Sequence, residues 1–220
     1  ATAASLIFSK IFFPSGDPTA ALLASFATFG VAYVARPFGA VLFGHLGDKI
    51  GRKSTLVLTL VMMGGATFLI GLLPDFSTAG YWAPALLVLL RLMQGLSAGA
   101  ETAGASALTM EEAPTGRRGF FASFAMSGIS FGIVLASLAF LPVAAMSEAD
   151  RLAWGWRIPF WSSILVLLVA YLVRRTLEEP EVFEEKHDHG ELVKLPFAKM
   201  FKTHPAQFFQ VALMSFQVVT

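Results

Sequence analysis

The chain has 220 residues, of which 55% are hydrophobic and 14% charged; its net charge is +1 and it contains no cysteine. Ordinary soluble domains carry about 25% charged residues, so this composition excludes a water-facing globule, and the near-neutral balance gives no field for nucleic acid. The absence of cysteine excludes disulfide scaffolds, thiolate metal sites and cysteine nucleophiles.

Taken in order, the apolar residues form near-continuous blocks rather than one-sided stripes, the pattern of helices buried all round in lipid or in one another. The first block, Ala1 to Phe13, starts without an initiator Met, a charged leader or a cleavage pattern and reads as a partial span. Full spans are expected from Ala20 to Phe43, Thr55 to Leu73, Pro84 to Leu108, Gly119 to Leu141 and Ile158 to Val173, most of them within the roughly 17–25 residues that cross a bilayer as helix. Trp154, Trp156 and Trp161 suit an interfacial belt at the start of the last one. A further apolar run at 205–220 reads as the start of a seventh helix. The expected fold is thus all-α and membrane-embedded: a six-helix bundle over 1–175 with its first helix incomplete, a cytoplasmic linker with an amphipathic segment over 176–204, and the seventh helix beginning at 205.

Lys and Arg in short loops stay on the cytoplasmic side. Lys49, Arg52 and Lys53 follow the first full span, Arg117 and Arg118 the third, and Arg174 and Arg175 the fifth. The Gly44 to Ser54, Glu111 to Arg118 and Arg174 to His204 segments are therefore predicted cytoplasmic. The Pro14 to Thr19, Pro74 to Ala83 and Pro142 to Arg157 segments, which are poorer in basic residues, are predicted external.

The first cytoplasmic loop, Gly44-His-Leu-Gly-Asp48-Lys-Ile-Gly51-Arg52-Lys53, combines glycines for a tight reversal with an acid able to cap the next helix and an Arg-Lys pair at anionic headgroups. Plain topological anchoring needs less than this. In the next-but-one span Arg91, Gln94 and Glu101 lie within apolar sequence, where an ionised group costs about 2.5–3.5 kcal/mol and is expected to face a cavity or a partner. At about 100° per residue Gln94 and Glu101 share a face, with Arg91 within about 80° of Glu101 and roughly 15 Å of rise from it. Arg91 is the candidate for a substrate carboxylate or for coupling to a proton site, and Glu101 the candidate protonatable group. The competing reading is a structural role for both, in bonds to neighbouring helices.

Other features carry less. Arg36, directly before Pro37, reads as a snorkelling anchor or a part of a cytoplasmic gate. Ser123, Ser127, Ser130 and Ser137 share one face of their span and could line a polar pathway, although serines in spans also bond their own backbone. Gly95-x-x-x-Gly99 and Gly128-x-x-x-Gly132 permit close helix approach, expected within one bundle rather than between copies. Gly95-Leu-Ser97-Ala-Gly99 also fits a serine-nucleophile pattern, but no His lies at membrane depth to act as base, so an intramembrane serine hydrolase ranks low. His187-Asp-His-Gly-Glu191 follows an acidic run and reads as solvated linker rather than a metal site, so no metal is expected.

The Gly44 to Lys53 loop resembles the signature loop of the major facilitator superfamily, which joins the second and third helices. Phe12-Phe-Pro-Ser-Gly-Asp-Pro18 with Ala35-Arg-Pro37, Arg91-Leu-Met-Gln-Gly-Leu-Ser-Ala-Gly-Ala-Glu101, Gly155-Trp-Arg-Ile-Pro-Phe160 and Leu177-Glu-Glu-Pro-Glu-Val-Phe183 are similar to recurrent segments of its metabolite:proton symporter branch. Gly99-Ala100-Glu101-Thr102 departs from that branch, which usually has two glycines before this Glu and an aromatic after it. The resemblance implies an N-terminal half of a twelve-helix fold, with the six helices arranged as inverted repeats. It implies that Gly44, Asp48, Gly51, Arg52 and Lys53 form a cytoplasmic gate motif. It further implies alternating-access symport of a small organic metabolite such as a carboxylate, proline or betaine, with the proton as coupling ion and no other cofactor. The partners expected are that metabolite, membrane lipid and the C-terminal half of the same protein, in a bacterial plasma membrane, with no nucleic acid. A non-transporting membrane scaffold or sensor built on the same bundle is the alternative.

Overall fold

The computed structural model describes residues 2–14, 17–111, 113–114 and 116–176. The linker and the seventh span expected over 177–220, with the His187 to Glu191 cluster, lie outside the described residues.

The described chain is helical. Helix α1 (Thr2–Phe12) leads through a short turn to α2 (Pro18–Ile50), where Asp17 caps the start by accepting from the Thr19 amide at 2.8 Å and Pro18 occupies the first turn, which has no amide partner to lose. Helix α3 (Arg52–Leu72) follows after one residue. A four-residue helix, α4 (Phe76–Ala79), bridges to α5 (Trp82–Glu111); α6 (Arg118–Ala145), a short α7 (Glu148–Ala153), a 3₁₀ turn (Gly155–Arg157), α8 (Ile158–Trp161) and α9 (Ile164–Thr176) complete it. Five helical stretches among the described residues are long and apolar enough to cross a membrane. Their outer faces carry large apolar side chains in the open, such as Val34, Phe38, Phe131 and Leu165, a surface too apolar to be left to water.

Two expected boundaries differ. The second span does not stop near Phe43 but continues as helix through Gly44, His45 and Asp48 to Ile50. Its 33 residues rise about 50 Å against a hydrocarbon core of about 30 Å, so its last turns project beyond the membrane. The reversal is made at Gly51 alone, with φ 99°, a value that a side chain disfavours. Gly51 itself occupies the cap position of α3, and Asp48 lies in the last turn of α2. The last span is broken at Ser162 and Ser163, where the Ser163, Leu165 and Val166 amides all bond three residues back in a tightened turn.

Helix α5 is the hub, packed chiefly against α2 and α3, while α3 packs also on α8 and α9. Polar stitches hold the second of these contacts: Ser163 Oγ donates to the Gly64 carbonyl at 3.1 Å and Trp161 Nε1 to that of Gly71 at 3.2 Å. At the end predicted external, Phe8 and Phe12 of α1 meet Trp156 and Phe160, with ring centroids 5.3–5.9 Å apart, over Ile70 and Leu87. This aromatic cluster anchors α1 and forms the floor on which the charge of α5 sits.

Candidate functional site

Glycines let α5 lie directly on α2. A Cβ added at Gly95 would overlap the Ala32 carbonyl, one at Gly99 the Arg36 carbonyl, and one at Gly39 of α2 the Leu96 carbonyl of α5. The backbones are thus in contact on both sides, and the Gly95-x-x-x-Gly99 repeat serves packing within the bundle. This contact sets the height and rotation of α5, and with them the positions of Arg91 and Gln94.

Arg91 is mostly enclosed. Its guanidinium lies 4.1 Å from the ring centroid of Phe29 on α2 and 5.6 Å from that of Phe8 on α1, placements in which the ring faces attract the cation. Its Nη1 donates to Gln94 Oε1 at 3.0 Å, and Gln94 Nε2 donates to Thr67 Oγ1 of α3 at 2.6 Å. Arg91 Nε is buried without a hydrogen-bond partner, and among the described residues Arg91 forms no ion pair. A buried cation held only by rings and an amide lacks the anion that would offset its desolvation, a cost of several kcal/mol. What this arrangement can do is accept a negatively charged group.

Glu101, two to three turns further along α5, is half-buried and likewise forms no ion pair among the described residues. The structure brings Arg91 and Gln94 together and leaves Glu101 apart. Phe8, Phe29 and Thr67 belong to the Arg91 surroundings, and nothing in the sequence singles them out. Ring and hydroxyl residues in apolar spans have no local pattern that marks them, and Thr67 lies 27 positions from Gln94.

At the end predicted cytoplasmic, Gly44, Asp48 and Arg52 line a cavity of about 250 Å³ between α2, α3 and α5, together with Thr55, Ala100 and Gly104. Gly51 forms the turn beneath it, and Lys53 is half-buried on α3 without lining the cavity. Arg36 is exposed on α2 and its guanidinium lies 4.2 Å from the Tyr33 ring centroid. Because α2 runs on to Ile50, Arg36 sits about 21 Å of helix rise from that end, close to the length by which α2 exceeds the hydrocarbon core. Ser123, Ser127 and Ser130 are exposed on α6, where Ser123 donates to its own helix at Phe120, as Ser137 does at Ile133. Ser97 is fully buried and donates to the Thr59 carbonyl of α3, so the hydroxyl of the nucleophile-like pattern is spent on helix packing.

At the predicted external end, Lys10 pairs with Glu148 at 2.5 Å, and its hydrogen bond and charge hold the Glu148 carboxyl below the usual range. Asp75, which caps α4, is held low chiefly by hydrogen bonds from Thr78 and Ser77.

Apolar helices around a glycine-packed, charge-bearing central helix define a multi-pass helical membrane protein. Residues 4–191 match the family model for sugar (and other) transporters. The chain belongs to that family, within the major facilitator superfamily, and the family is one of transporters rather than enzymes. It is 44% identical over 212 residues to the shikimate transporter of Escherichia coli, covering 94% of this chain and 48% of that protein. The proline/betaine transporter of Escherichia coli is 42% identical over 180 residues, 81% of this chain and 36% of that one. The chain therefore spans about half the length, or less, of these curated relatives. Among solved structures, the proton:xylose symporter XylE bound to 6-bromo-6-deoxy-D-glucose superposes with a TM-score of 0.74 at 18% identity, over 85% of this chain and 42% of that one, a likeness of fold. The inward-open XylE of E. coli gives 0.72 at 18% identity over 98% of this chain and 50% of that one.

Proposed function

We propose that this chain is the N-terminal half of a secondary active transporter that carries a carboxylate-bearing metabolite across a bacterial plasma membrane together with a proton, by alternating access. The observation that carries the reading is Arg91: an enclosed guanidinium, fixed by Phe29 and Gln94, with no anionic partner among the described residues. A substrate carboxylate supplies that partner through charge-assisted hydrogen bonds. The relatives' names are consistent with this chemistry, since shikimate, proline and betaine all bear a carboxylate.

In this reading Gln94 orients Arg91, and Glu101 exchanges the coupling proton with one side of the membrane at a time. The Asp48 and Arg52 rim of the cytoplasmic cavity closes the inner gate. The second half of the site is contributed by the remainder of the protein across from α2 and α5. Lipid covers the outward apolar faces.

The test is uptake by the full-length protein in proteoliposomes, offered labelled shikimate, proline and glycine betaine in turn. The expected result is counterflow of at least one, accumulation driven by an imposed inward proton gradient, and loss of that gradient dependence in Glu101→Gln with counterflow retained. Absence of counterflow for every carboxylate offered contradicts the substrate class, and accumulation indifferent to the gradient contradicts proton coupling.

A further inference from the structure

The hydrogen bonds that reach Arg91 all run in one direction. Arg91 Nη1–H donates to Gln94 Oε1 at 3.0 Å, Gln94 Nε2–H to Thr67 Oγ1 at 2.6 Å, and Thr67 Oγ1–H to the Met63 carbonyl at 2.7 Å. A hydroxyl has a single proton. Thr67 gives its proton to Met63, so only a lone pair is left to face Gln94. The amide must then turn its NH₂ toward α3 and its oxygen toward Arg91. The opposite orientation would set amide N–H groups against a guanidinium, which has no acceptor to offer them.

The rings cannot supply this constraint. Phe8 and Phe29 attract the cation toward their faces, but a guanidinium over a ring face can still rotate about the ring normal. The bond to Gln94 Oε1 fixes that rotation, and therefore decides which N–H groups remain for an incoming anion. We propose that Thr67 is a positioning residue for substrate recognition, acting through the Gln94 amide to fix the in-plane orientation of the Arg91 guanidinium. The inference rests on the reading of Arg91 as the carboxylate-binding group. It adds a residue on α3 to those on α1, α2 and α5, so that the geometry of α3 against α5 is transmitted to the binding group.

Thr67→Val keeps the side-chain shape and removes both the acceptor and the donor; Thr67→Ser restores them. In full-length protein in proteoliposomes, with whichever of labelled shikimate, proline or glycine betaine is taken up as probe, Thr67→Val is expected to raise KM by about threefold to tenfold with the maximal rate kept, the loss of one intramolecular hydrogen bond. Thr67→Ser is expected to return KM to the wild-type value. In a Gln94→Met background, Thr67→Val is expected to add nothing, because the relay is already cut.

Ser97→Ala is the control for a purely structural role. It also removes an α5-to-α3 hydrogen bond, from Ser97 to Thr59, but one without contact to Arg91, and it is expected to lower thermal stability without moving KM. An unchanged KM in Thr67→Val, or a raised KM that Thr67→Ser does not restore, overturns the proposal. Should Thr67→Val not accumulate in the membrane, Thr67→Ala against Thr67→Ser gives the same comparison with the same two outcomes. Failure of the underlying reading is seen separately: Arg91→Lys would then keep the wild-type KM, whereas failure of the relay alone leaves Arg91→Lys impaired and Thr67→Val normal.

Discussion

Helices α5 and α6 carry the same small-residue spacing and put it to different use. On α5, Gly95 and Gly99 meet the backbone of α2 directly, and a third of the span is buried. On α6, nothing among the described residues lies within 4 Å of a Cβ added at Gly128 or Gly132, and 6% of the span is buried. A glycine repeat thus permits close approach without specifying it. The partner, not the motif, decides whether the permission is used. The polar side chains divide in the same way, since Arg91 and Gln94 of α5 bond or stack with neighbouring helices while Ser123 and Ser137 of α6 bond their own.

Substitution at the two repeats breaks or sharpens this contrast most strongly. Gly95→Ala drives a methyl into the Ala32 carbonyl and is expected to destabilise the bundle by about 3 kcal/mol, the upper range for overpacking. Gly128→Ala meets open space and is expected to be stabilising by about 0.5–1 kcal/mol through helix propensity. Thermal unfolding of the 220-residue chain in detergent gives opposite signs if the contrast holds. A destabilised Gly128→Ala would mean that α6 is packed rather than open at that face.

A smaller effect is expected from Ser97→Ala, which removes one buried bond between α5 and α3 and should cost about 0.6–1 kcal/mol, read by the same unfolding experiment.

The smallest belongs to the exposed Lys10–Glu148 pair that joins α1 to α7. Because Lys10 holds the Glu148 carboxyl below its usual range, the pair's contribution is present at neutral pH and is lost as the pH falls through that lowered value. Glu148→Gln should abolish this acid-dependent part while hardly changing the midpoint at neutral pH, since exposed pairs contribute little.

Much of this fold was legible in the sequence because lipid imposes a long, uninterrupted apolar signal, and loop charge adds direction. The start of α3, the extent of α5 and the whole of α6 fall within a few residues of expectation. The end of α2 did not, because Gly44, His45 and Asp48 are polar or flexible in composition, yet a helix leaving the membrane needs no apolar residues to continue. The break at Ser162 and Ser163 was also hidden, since its turn is tightened by local bonds and a contact to Gly64 rather than by a glycine or a mid-span proline.

The candidate site was legible only as its charges. Arg91, Gln94 and Glu101 stand out because ionisable and amide groups are rare in spans. Phe8, Phe29 and Thr67 do not, since each is an ordinary residue for a membrane helix and acquires its place only when α1, α2 and α3 converge on α5.

The central claim, that Arg91 receives a substrate carboxylate, is tested most directly by equilibrium binding to the full-length protein of a transported carboxylate and of its uncharged carboxamide. The wild type is expected to prefer the acid by about tenfold to a hundredfold, the range for hydrogen bonds to a charged group. Arg91→Ala is expected to bind both with similar, weak affinity. An Arg91→Ala protein that keeps the full preference for the acid would contradict the account.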